Sequence, residues 1–211
     1  MILGCYCLLA YVWGSVPFSY WIPAKLKRVD MTRIGSGNVG AANVVFATDF
    51  KIGSLCFGLD LLKGFLVGLG MLIWFSSDPL MVLPAACVVL GHTFSLFLGF
   101  KGGKGVATSL GLVLSHSPVL FCLLLGTAIL LALITKYVTL GTVGSFLLYA
   151  SIGVFFLPTP TRMLLWVLTA IISATHTDNY RRLLKGTEFR VSDREKKRCS
   201  QDSERAEDKK A

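Results

Sequence analysis

The sequence predicts an all-α integral membrane protein with seven transmembrane helices, with its N-terminus outside and its C-terminus in the cytoplasm. Hydrophobic residues make up 54% of the 211 residues and charged residues only 16%. The mean hydropathy of +0.65 is typical of a chain whose solvent is mostly lipid. The apolar residues form long runs, and the basic residues between those runs collect on one side of the expected membrane.

Six hydrophobic runs are evident, and the fourth is about 28 residues long, more than the roughly 20 that a bilayer needs. The segment Ser115-His116-Ser117-Pro118 interrupts it, so we divide it into a span at 107–115 and a fuller span at 118–134. The first of these reaches only about 14 Å at 1.5 Å per residue and is short enough to be re-entrant. The other runs cover residues 2–22, 52–75, 80–99, 138–157 and 163–175.

The basic residues give the orientation. With the N-terminus outside, seven spans place all of the 21 basic residues on the cytoplasmic side except Arg162, which lies outside, and Lys63, which lies within the second span. Six spans would instead put the basic C-terminal segment outside. Residues 1–188 therefore form the predicted membrane domain, and the highly charged residues 189–211 form a cytoplasmic tail that we expect to be disordered.

The net charge of +9 indicates anionic partners. No basic domain with interleaved aromatic residues is present, which argues against nucleic acid and favours the membrane surface and phosphorylated substrates. The six cysteines form no C-x-x-C pair and mostly occupy apolar runs, so we predict neither a disulfide nor a metal site. Residues 1–22 lack a basic start and a small-residue cleavage site, and they indicate a retained span.

The first polar cluster reads R-I-G-S-G-N-V-G-A-A-N and has glycines at 35, 37 and 40. This spacing matches a dinucleotide-binding fingerprint, but that fingerprint needs a strand before it, and here a hydrophobic span precedes it. Glycines let backbone N–H groups approach an anion, and Ser36 and Asn38 add polar groups. The loop therefore predicts a phosphate site, with a plain turn as the alternative.

The second cluster reads F-K-G-G-K-G-V-A-T and contains Lys101, Lys104 and Gly105. It is not a Walker motif, because the spacing and the residue after Lys104 are wrong. Lysines and free N–H groups at the start of an apolar helix form a site where anions bind. The alternative is a basic loop that only fixes the topology.

The third cluster, H-T-D-N-Y-R-R-L-L-K-G-T-E, follows the last span. His176 could donate a hydrogen bond or carry a proton, and Asn179 and Arg182 would share one helical face with it. An amphipathic helix at the membrane surface is an equally good interpretation.

Two charges lie inside the second span. Asp60 and Lys63 are three residues apart, and because unpaired charges in a bilayer are costly, we expect them to be paired and structural. Gly64 and Gly68 in the same run have the spacing of close helix packing. We interpret His92 and His116 as satisfied or solvated side chains and not as metal ligands.

The three clusters resemble the three motifs of the bacterial acyl-phosphate:glycerol-3-phosphate acyltransferases, the PlsY family. The similarity extends to G-S-V-P-F-S-Y near residue 14, D-L-L-K-G at 60–64 and Y-V-T-L-G-T at 137–142, and so covers residues 10–188. It implies an enzyme of the bacterial inner membrane, with its active site facing the cytoplasm. Such an enzyme transfers a fatty acyl group from acyl phosphate to the 1-hydroxyl of glycerol 3-phosphate, giving lysophosphatidic acid and phosphate for phospholipid biosynthesis. It implies no cofactor and no metal, and a functional link to an enzyme that produces acyl phosphate.

The resemblance also suggests roles for individual residues. The catalytic candidates are Ser36, Asn38, His176 and Asn179. The residues expected to be structural are Asp60, Lys63 and Glu188. The candidates for substrate binding are Gly35, Gly37, Gly40, Asn43, Lys101, Lys104, Gly105, Thr142 and Arg182.

The chain departs from the family pattern in places. Phe46 stands where the family commonly has arginine, Thr32 also replaces an arginine, and Ala42 and Ser95 differ as well. Arg33, Lys51 or Lys101 could supply the cation that is missing at Phe46. The alternative functions are a transporter of a phosphorylated small molecule, which should show internal repeats that we do not see, and a membrane scaffold.

Overall fold

The computed structural model describes residues 1–75, 80 and 82–191, and these residues contain helices and no strands. Four helical segments are long and apolar enough to cross a membrane: Ile2–Lys27, Phe50–Trp74, Pro118–Thr135 and Val138–Phe156. The helices are α1 (Ile2–Ser15), α2 (Phe18–Lys27), α3 (Ala41–Ala47), α4 (Phe50–Phe75), α5 (Val82–Thr93), α6 (Val106–His116), α7 (Pro118–Thr135), α8 (Val138–Phe156), α9 (Thr159–Thr175) and α10 (Thr177–Leu184).

The break in the long fourth hydrophobic run is confirmed. Helix α6 ends at His116 and α7 begins at Pro118. The Ser117 hydroxyl accepts a hydrogen bond from the Leu120 N–H at 3.2 Å, and Pro118 occupies the first turn. Proline is tolerated there because its missing N–H would have no partner within the helix. The short helix α6 is therefore a separate element whose N-terminus points to the loop that contains Lys104.

The predicted close packing at Gly64 and Gly68 is also confirmed, and α6 is the neighbour. A Cβ atom at Gly64 would collide with the backbone carbonyl of Thr108, and one at Gly68 would collide with the Ser115 side chain. Gly111 on α6 approaches the Leu61 carbonyl in the same way. Small residues allow two backbones to approach each other closely, and this contact fixes α6 against α4.

The third apolar run ends earlier than predicted. Helix α5 stops at Thr93, and Leu96–Leu98 form a 3-10 turn followed by Gly99 and Phe100 in left-handed conformations. The Ser95 hydroxyl donates to the Ser15 carbonyl at 2.5 Å, which ties the turn to the end of α1. The chain can therefore reverse direction and enter the lysine loop at residues 101–104.

The main apolar core contains side chains from α1 and from every helix between α4 and α9. Met71, Leu112 and Leu168 are among its fully buried members. A smaller core of Met31, Val44, Ile52 and Cys56 packs α3 and the loop before it against α4. Many remaining apolar side chains are exposed, for example Ile134 and Phe156, as expected for surfaces that face lipid.

The chain still contacts the helical bundle just beyond residue 188. The rings of Phe189 and Phe46 lie 6.1 Å apart, and the Val191 N–H donates to the Lys136 carbonyl at 2.9 Å. Most of the predicted disordered tail, including Cys199, lies outside the described residues.

Candidate active site

The loop before α3 is organised by one buried side chain. Asn43 donates from Nδ2 to the carbonyls of Ile34 at 2.9 Å and Asn38 at 3.0 Å, and its Oδ1 accepts from the Ser36 N–H at 3.2 Å. Asn43 was expected to bind substrate. Because its amide is engaged by its own loop, Asn43 holds the loop in shape, although it lies in the wall of a cavity.

Two glycines of this loop are needed for its conformation. Gly35 and Gly37 have φ angles of +63° and +69°, which L-residues with side chains rarely adopt. A Cβ atom at Gly35 would also collide with Asn43 Oδ1. The resulting turn presents Ser36 and Asn38, and Gly40 caps the start of α3. Gly35 supports the loop from behind and does not line either cavity, whereas Gly37 lines one of them.

The glycine-lysine loop, residues 100–105, packs against the end of α5. The Gly103 N–H donates to the His92 carbonyl at 3.1 Å, and a Cβ atom at Gly102 would collide with that same carbonyl. Gly105 has a φ of +78° and caps α6. This conformation directs Lys104 into the site. Lys101 is exposed and lines neither cavity, so the structure does not bring this predicted binding residue to the site.

Glu188 is the centre of the third cluster. Its Oε1 accepts from Asn179 Nδ2 at 2.6 Å and from the Thr139 hydroxyl at 2.8 Å, and its Oε2 accepts from Arg182 Nε at 2.8 Å. Burial raises the pKa of Glu188, but these three hydrogen bonds outweigh it and hold the pKa below its ordinary value. The carboxylate is therefore charged at neutral pH and orients Asn179 and Arg182.

Lys104 joins the second cluster to the third. Its Nζ donates to Asn179 Oδ1 at 2.5 Å, and its backbone carbonyl accepts from the Thr175 hydroxyl at 3.1 Å. The amphipathic-helix interpretation of the third cluster is true of α10, but Asn179 is buried on its inner face. The helix is therefore both a surface element and one wall of the site.

His176 lies at the junction of α9 and α10, where it is buried. Its Nδ1 is 2.7 Å from the Ile172 carbonyl, and since a carbonyl only accepts, Nδ1 carries the proton and Nε2 keeps its lone pair. Burial, and then the charge of Lys104, lower the pKa of His176 to about 4. The imidazole is therefore neutral at physiological pH and offers a hydrogen-bond acceptor.

Two cavities meet at these residues. The first has a volume of about 420 Å³ and extends from a polar rim into an apolar limb between α6, α7 and α8. The second has a volume of about 630 Å³ and opens beside α5 and α9. Both are lined by Ser36, Asn38, Lys104, Asn179 and Arg182.

The polar rim and the apolar limb of the first cavity have different linings. The rim includes Gly40, Gly105, Thr142, His176 and Glu188. The limb is lined by apolar side chains of α4, α6, α7 and α8: Phe57, Leu110, Leu125, Ala128, Ile129, Ala132, Leu133 and Phe146. The cavity can therefore hold a molecule with an anionic end and an alkyl chain.

Asp60 and Lys63 form the expected ion pair, with Lys63 Nζ 2.7 Å from Asp60 Oδ1 and both side chains buried. Asp60 also lines the first cavity, together with His92. Within the described residues, no group of three or more His, Cys, Asp or Glu side chains is arranged to hold a metal ion.

Thr139 donates a hydrogen bond to Glu188 but is not among the site residues predicted from the sequence. The signal was present, because Thr139 lies three residues before Thr142 and shares its helical face. Of the cations considered as replacements at Phe46, Arg33 pairs with Asp30 at 3.3 Å, and neither Arg33 nor Lys51 lines either of these two cavities.

The profile of the glycerol-3-phosphate acyltransferase family matches residues 4–186. A protein of that name from Thermotoga petrophila is 41% identical over 189 residues, with 88% of this chain and 94% of that protein covered. A second, from Aquifex aeolicus, is 42% identical over 190 residues, with 87% and 96% covered.

Two crystal structures of PlsY (YgiH), an integral membrane glycerol 3-phosphate acyltransferase, are also similar. The glycerol 3-phosphate form aligns with a TM-score of 0.84 at 36% identity, covering 90% of this chain and 96% of that one. The lysophosphatidic acid form aligns with a TM-score of 0.82, at the same identity and with 90% and 95% covered. The chain therefore belongs to the glycerol-3-phosphate acyltransferase family.

Proposed function

We propose that this protein transfers a fatty acyl group from acyl phosphate to the 1-hydroxyl of glycerol 3-phosphate, giving lysophosphatidic acid and phosphate. The observation that carries the proposal is the first cavity, in which a cationic rim continues directly into an apolar limb. The names of the relatives support glycerol 3-phosphate as the acceptor. The resemblance of the three motifs supports acyl phosphate as the donor.

Both substrates carry a phosphate, and the rim offers several groups that bind one. Lys104 and Arg182 line both cavities, and cationic donors form the strongest hydrogen bonds to phosphate. The first N–H groups of α6 have no partner within the helix, and they adjoin Lys104. Ser36 and Asn38 add neutral polar groups from the first loop. Two anions can therefore lie side by side at this rim.

The apolar limb suits the acyl chain of the donor. It follows α7 from Leu133 to Leu125 and α8 from Val138 to Phe146, a depth of roughly 12 Å at 1.5 Å per residue. An alkyl chain in this limb would place the acyl carbonyl at the polar rim, next to the acceptor phosphate. The site therefore aligns the two reacting groups, and such alignment alone supplies much of the rate of a bimolecular reaction.

The chemistry needs no covalent enzyme intermediate, because acyl phosphate is already activated with phosphate as its leaving group. The acceptor hydroxyl attacks the acyl carbon, a new C–O bond forms, and the bond between the acyl carbon and the phosphate oxygen breaks. Lys104 and Arg182 stabilise the charge that develops on the phosphate.

A base with a pKa of about 4, as His176 has here, is a poor final proton acceptor near pH 7. We therefore assign the proton to a phosphate oxygen, with neutral His176 accepting a hydrogen bond from the attacking hydroxyl.

The decisive experiment supplies purified protein in detergent with palmitoyl phosphate and labelled glycerol 3-phosphate, and without metal or thioester donors. We expect labelled lysophosphatidic acid and one equivalent of phosphate. Folded protein that forms no product under these conditions would overturn the proposal. Product that formed from palmitoyl-CoA or palmitoyl-acyl carrier protein, and not from palmitoyl phosphate, would show that acyl phosphate is not the donor. A positive result would also imply that the cell contains an enzyme that produces acyl phosphate.

We further propose seven membrane spans in the bacterial inner membrane, with the N-terminus outside and the site facing the cytoplasm. The separate helices α6 and α7 and the basic residues at the rim support this topology. A thiol reagent that cannot cross membranes should label a cysteine introduced at Thr161 in intact cells and leave Cys199 unlabelled. The reverse pattern would invert the topology.

A further inference from the structure

The buried ion pair of α4 has contacts that a purely structural pair would not need. Asp60 and Lys63 lie on the same helix, three residues apart, so their pairing joins no two helices. Lys63 Nζ lies over the Phe18 ring of α2, 5.0 Å from its centroid. The polar contacts with other helices are made by Asp60, which accepts from the Ser19 hydroxyl of α2 at 2.6 Å and faces His92 of α5. A charge inside a membrane protein is costly and commonly marks a functional site.

His92 lies between Asp60 and the glycine-lysine loop. Its Nδ1 is 3.6 Å from Asp60 Oδ1, and its carbonyl accepts the Gly103 N–H at 3.1 Å. The Nε2 side of the ring lies against Gly103, where an added Cβ atom would collide with it. One residue thus contacts the buried carboxylate with one edge of its ring and the loop with the other, and Lys104 follows Gly103 directly.

The same arrangement contacts the first loop. A Cβ atom at Gly103 would lie 2.7 Å from the Val39 carbonyl, closer than real Cβ atoms approach. The backbones of the two loops therefore touch beside the His92 ring. Asp60 and His92 also line the first cavity, so the network lies directly beneath the rim where Lys104 is placed.

We propose that Asp60 and His92 are positioning residues for Lys104, and that Lys63 neutralises the carboxylate that fixes the imidazole. Asp60 holds the His92 ring, the ring supports the Gly102–Gly103 backbone, and that backbone directs Lys104 to Asn179 and to the acceptor phosphate. This inference rests on the proposed function, because it assigns a role in binding glycerol 3-phosphate.

The test is the double substitution Asp60→Asn with Lys63→Gln, which removes both charges together and leaves no uncompensated ion in the membrane. We expect the KM for glycerol 3-phosphate to rise about tenfold or more, since small displacements of a positioning group have effects of this size. The KM for palmitoyl phosphate should change much less. Ser19→Ala is the comparison, because it removes only the donor to Asp60 Oδ2 and leaves Oδ1 facing Lys63 and His92, and it should raise this KM much less than the double substitution does.

Two further variants keep the inference testable if the double variant does not fold. His92→Asn retains an N–H that can reach Asp60 and should keep partial activity, whereas His92→Leu should lose affinity for glycerol 3-phosphate. Adding Lys104→Ala to the double variant should cause little further loss. A folded double variant with wild-type KM and kcat, or equal activity of His92→Asn and His92→Leu, would overturn the inference. Absence of product from the wild type would instead overturn the proposed function.

Discussion

Lys104 and Asn179 are 75 positions apart in the chain, and Lys104 Nζ donates to Asn179 Oδ1 at 2.5 Å. The other end of the same amide donates to Glu188 at 2.6 Å. The amide oxygen therefore faces the ammonium group and the amide nitrogen faces the carboxylate, and the charges on either side fix its orientation. This bridge connects the glycine-lysine loop to the segment after α9.

We expect Lys104→Ala to raise the KM for glycerol 3-phosphate with a smaller change in the KM for acyl phosphate. A hydrogen bond to a charged group contributes about 1.5–3 kcal/mol, which is on the order of 10- to 100-fold in affinity. Steady-state rates at varied glycerol 3-phosphate and saturating palmitoyl phosphate would measure it. An unchanged KM with full turnover would contradict this role of Lys104.

Lys101→Ala is the matched comparison for Lys104→Ala. Both lysines belong to the same loop and carry the same charge, but Lys101 is exposed and lines neither cavity. We expect its variant to keep kinetics close to those of the wild type. If the two variants lost affinity equally, the loop would act through its overall charge, and the position of Lys104 would not be special.

Glu188→Gln should weaken both the fold and the site. The substitution keeps the shape of the side chain but leaves Arg182 without the carboxylate that it contacts at 2.8 Å. We expect a loss of about 1–3 kcal/mol in stability together with lower turnover, because Asn179 loses its fixed orientation. Thermal unfolding in detergent and initial rates would measure the two effects.

The pH dependence of this loss has a definite sign. The pKa of Glu188 lies below its ordinary value in the folded protein, so its stabilisation is present above that ordinary value of 4.5 and is lost as the pH falls below it. The difference in Tm between wild type and Glu188→Gln should therefore shrink below about pH 4.5. A difference that grew towards acid pH would contradict the assignment.

The sequence allowed much of this site to be predicted, because its signals are local. Proline after polar residues indicated the break at Ser117, and the glycine spacing at Gly64 and Gly68 indicated close packing. Both are properties of short segments. The three polar clusters were also visible as motifs, and the structure brings Ser36, Lys104 and Asn179 to the same two cavities.

Other features depend on tertiary contacts that no short segment encodes. Asn43 looked like a binding residue, but its amide is engaged by its own loop. Lys101 and Lys104 are equivalent in sequence, and only the packing of Gly102 and Gly103 on the end of α5 turns one away and the other inward. Asp60 and His92 are 32 positions apart and lie on different helices, and residue spacing alone does not reveal that they face each other.

His176 should titrate well below ordinary histidines. Burial and then Lys104 lower its pKa from 6.5 to about 4, so the fold favours the neutral imidazole. Its contribution to stability is present above pH 6.5 and is lost progressively as the pH falls from 6.5 towards 4. In His176→Gln, the Tm should therefore fall less steeply over this range than in the wild type. Identical slopes would indicate that His176 has an ordinary pKa.

Gly64→Ala and Gly58→Ala, both on α4, test whether close packing against α6 supports the site. An added methyl group at Gly64 would meet the Thr108 backbone, whereas Gly58 has no atom within 4 Å of its added Cβ. Overpacking costs about 1–3 kcal/mol, and a shift of α6 would displace the helix start next to Lys104. We therefore expect Gly64→Ala to lower both Tm and turnover, and Gly58→Ala to leave turnover unchanged. Equal effects of the two substitutions would show that helix propensity, and not contact with α6, determines the outcome.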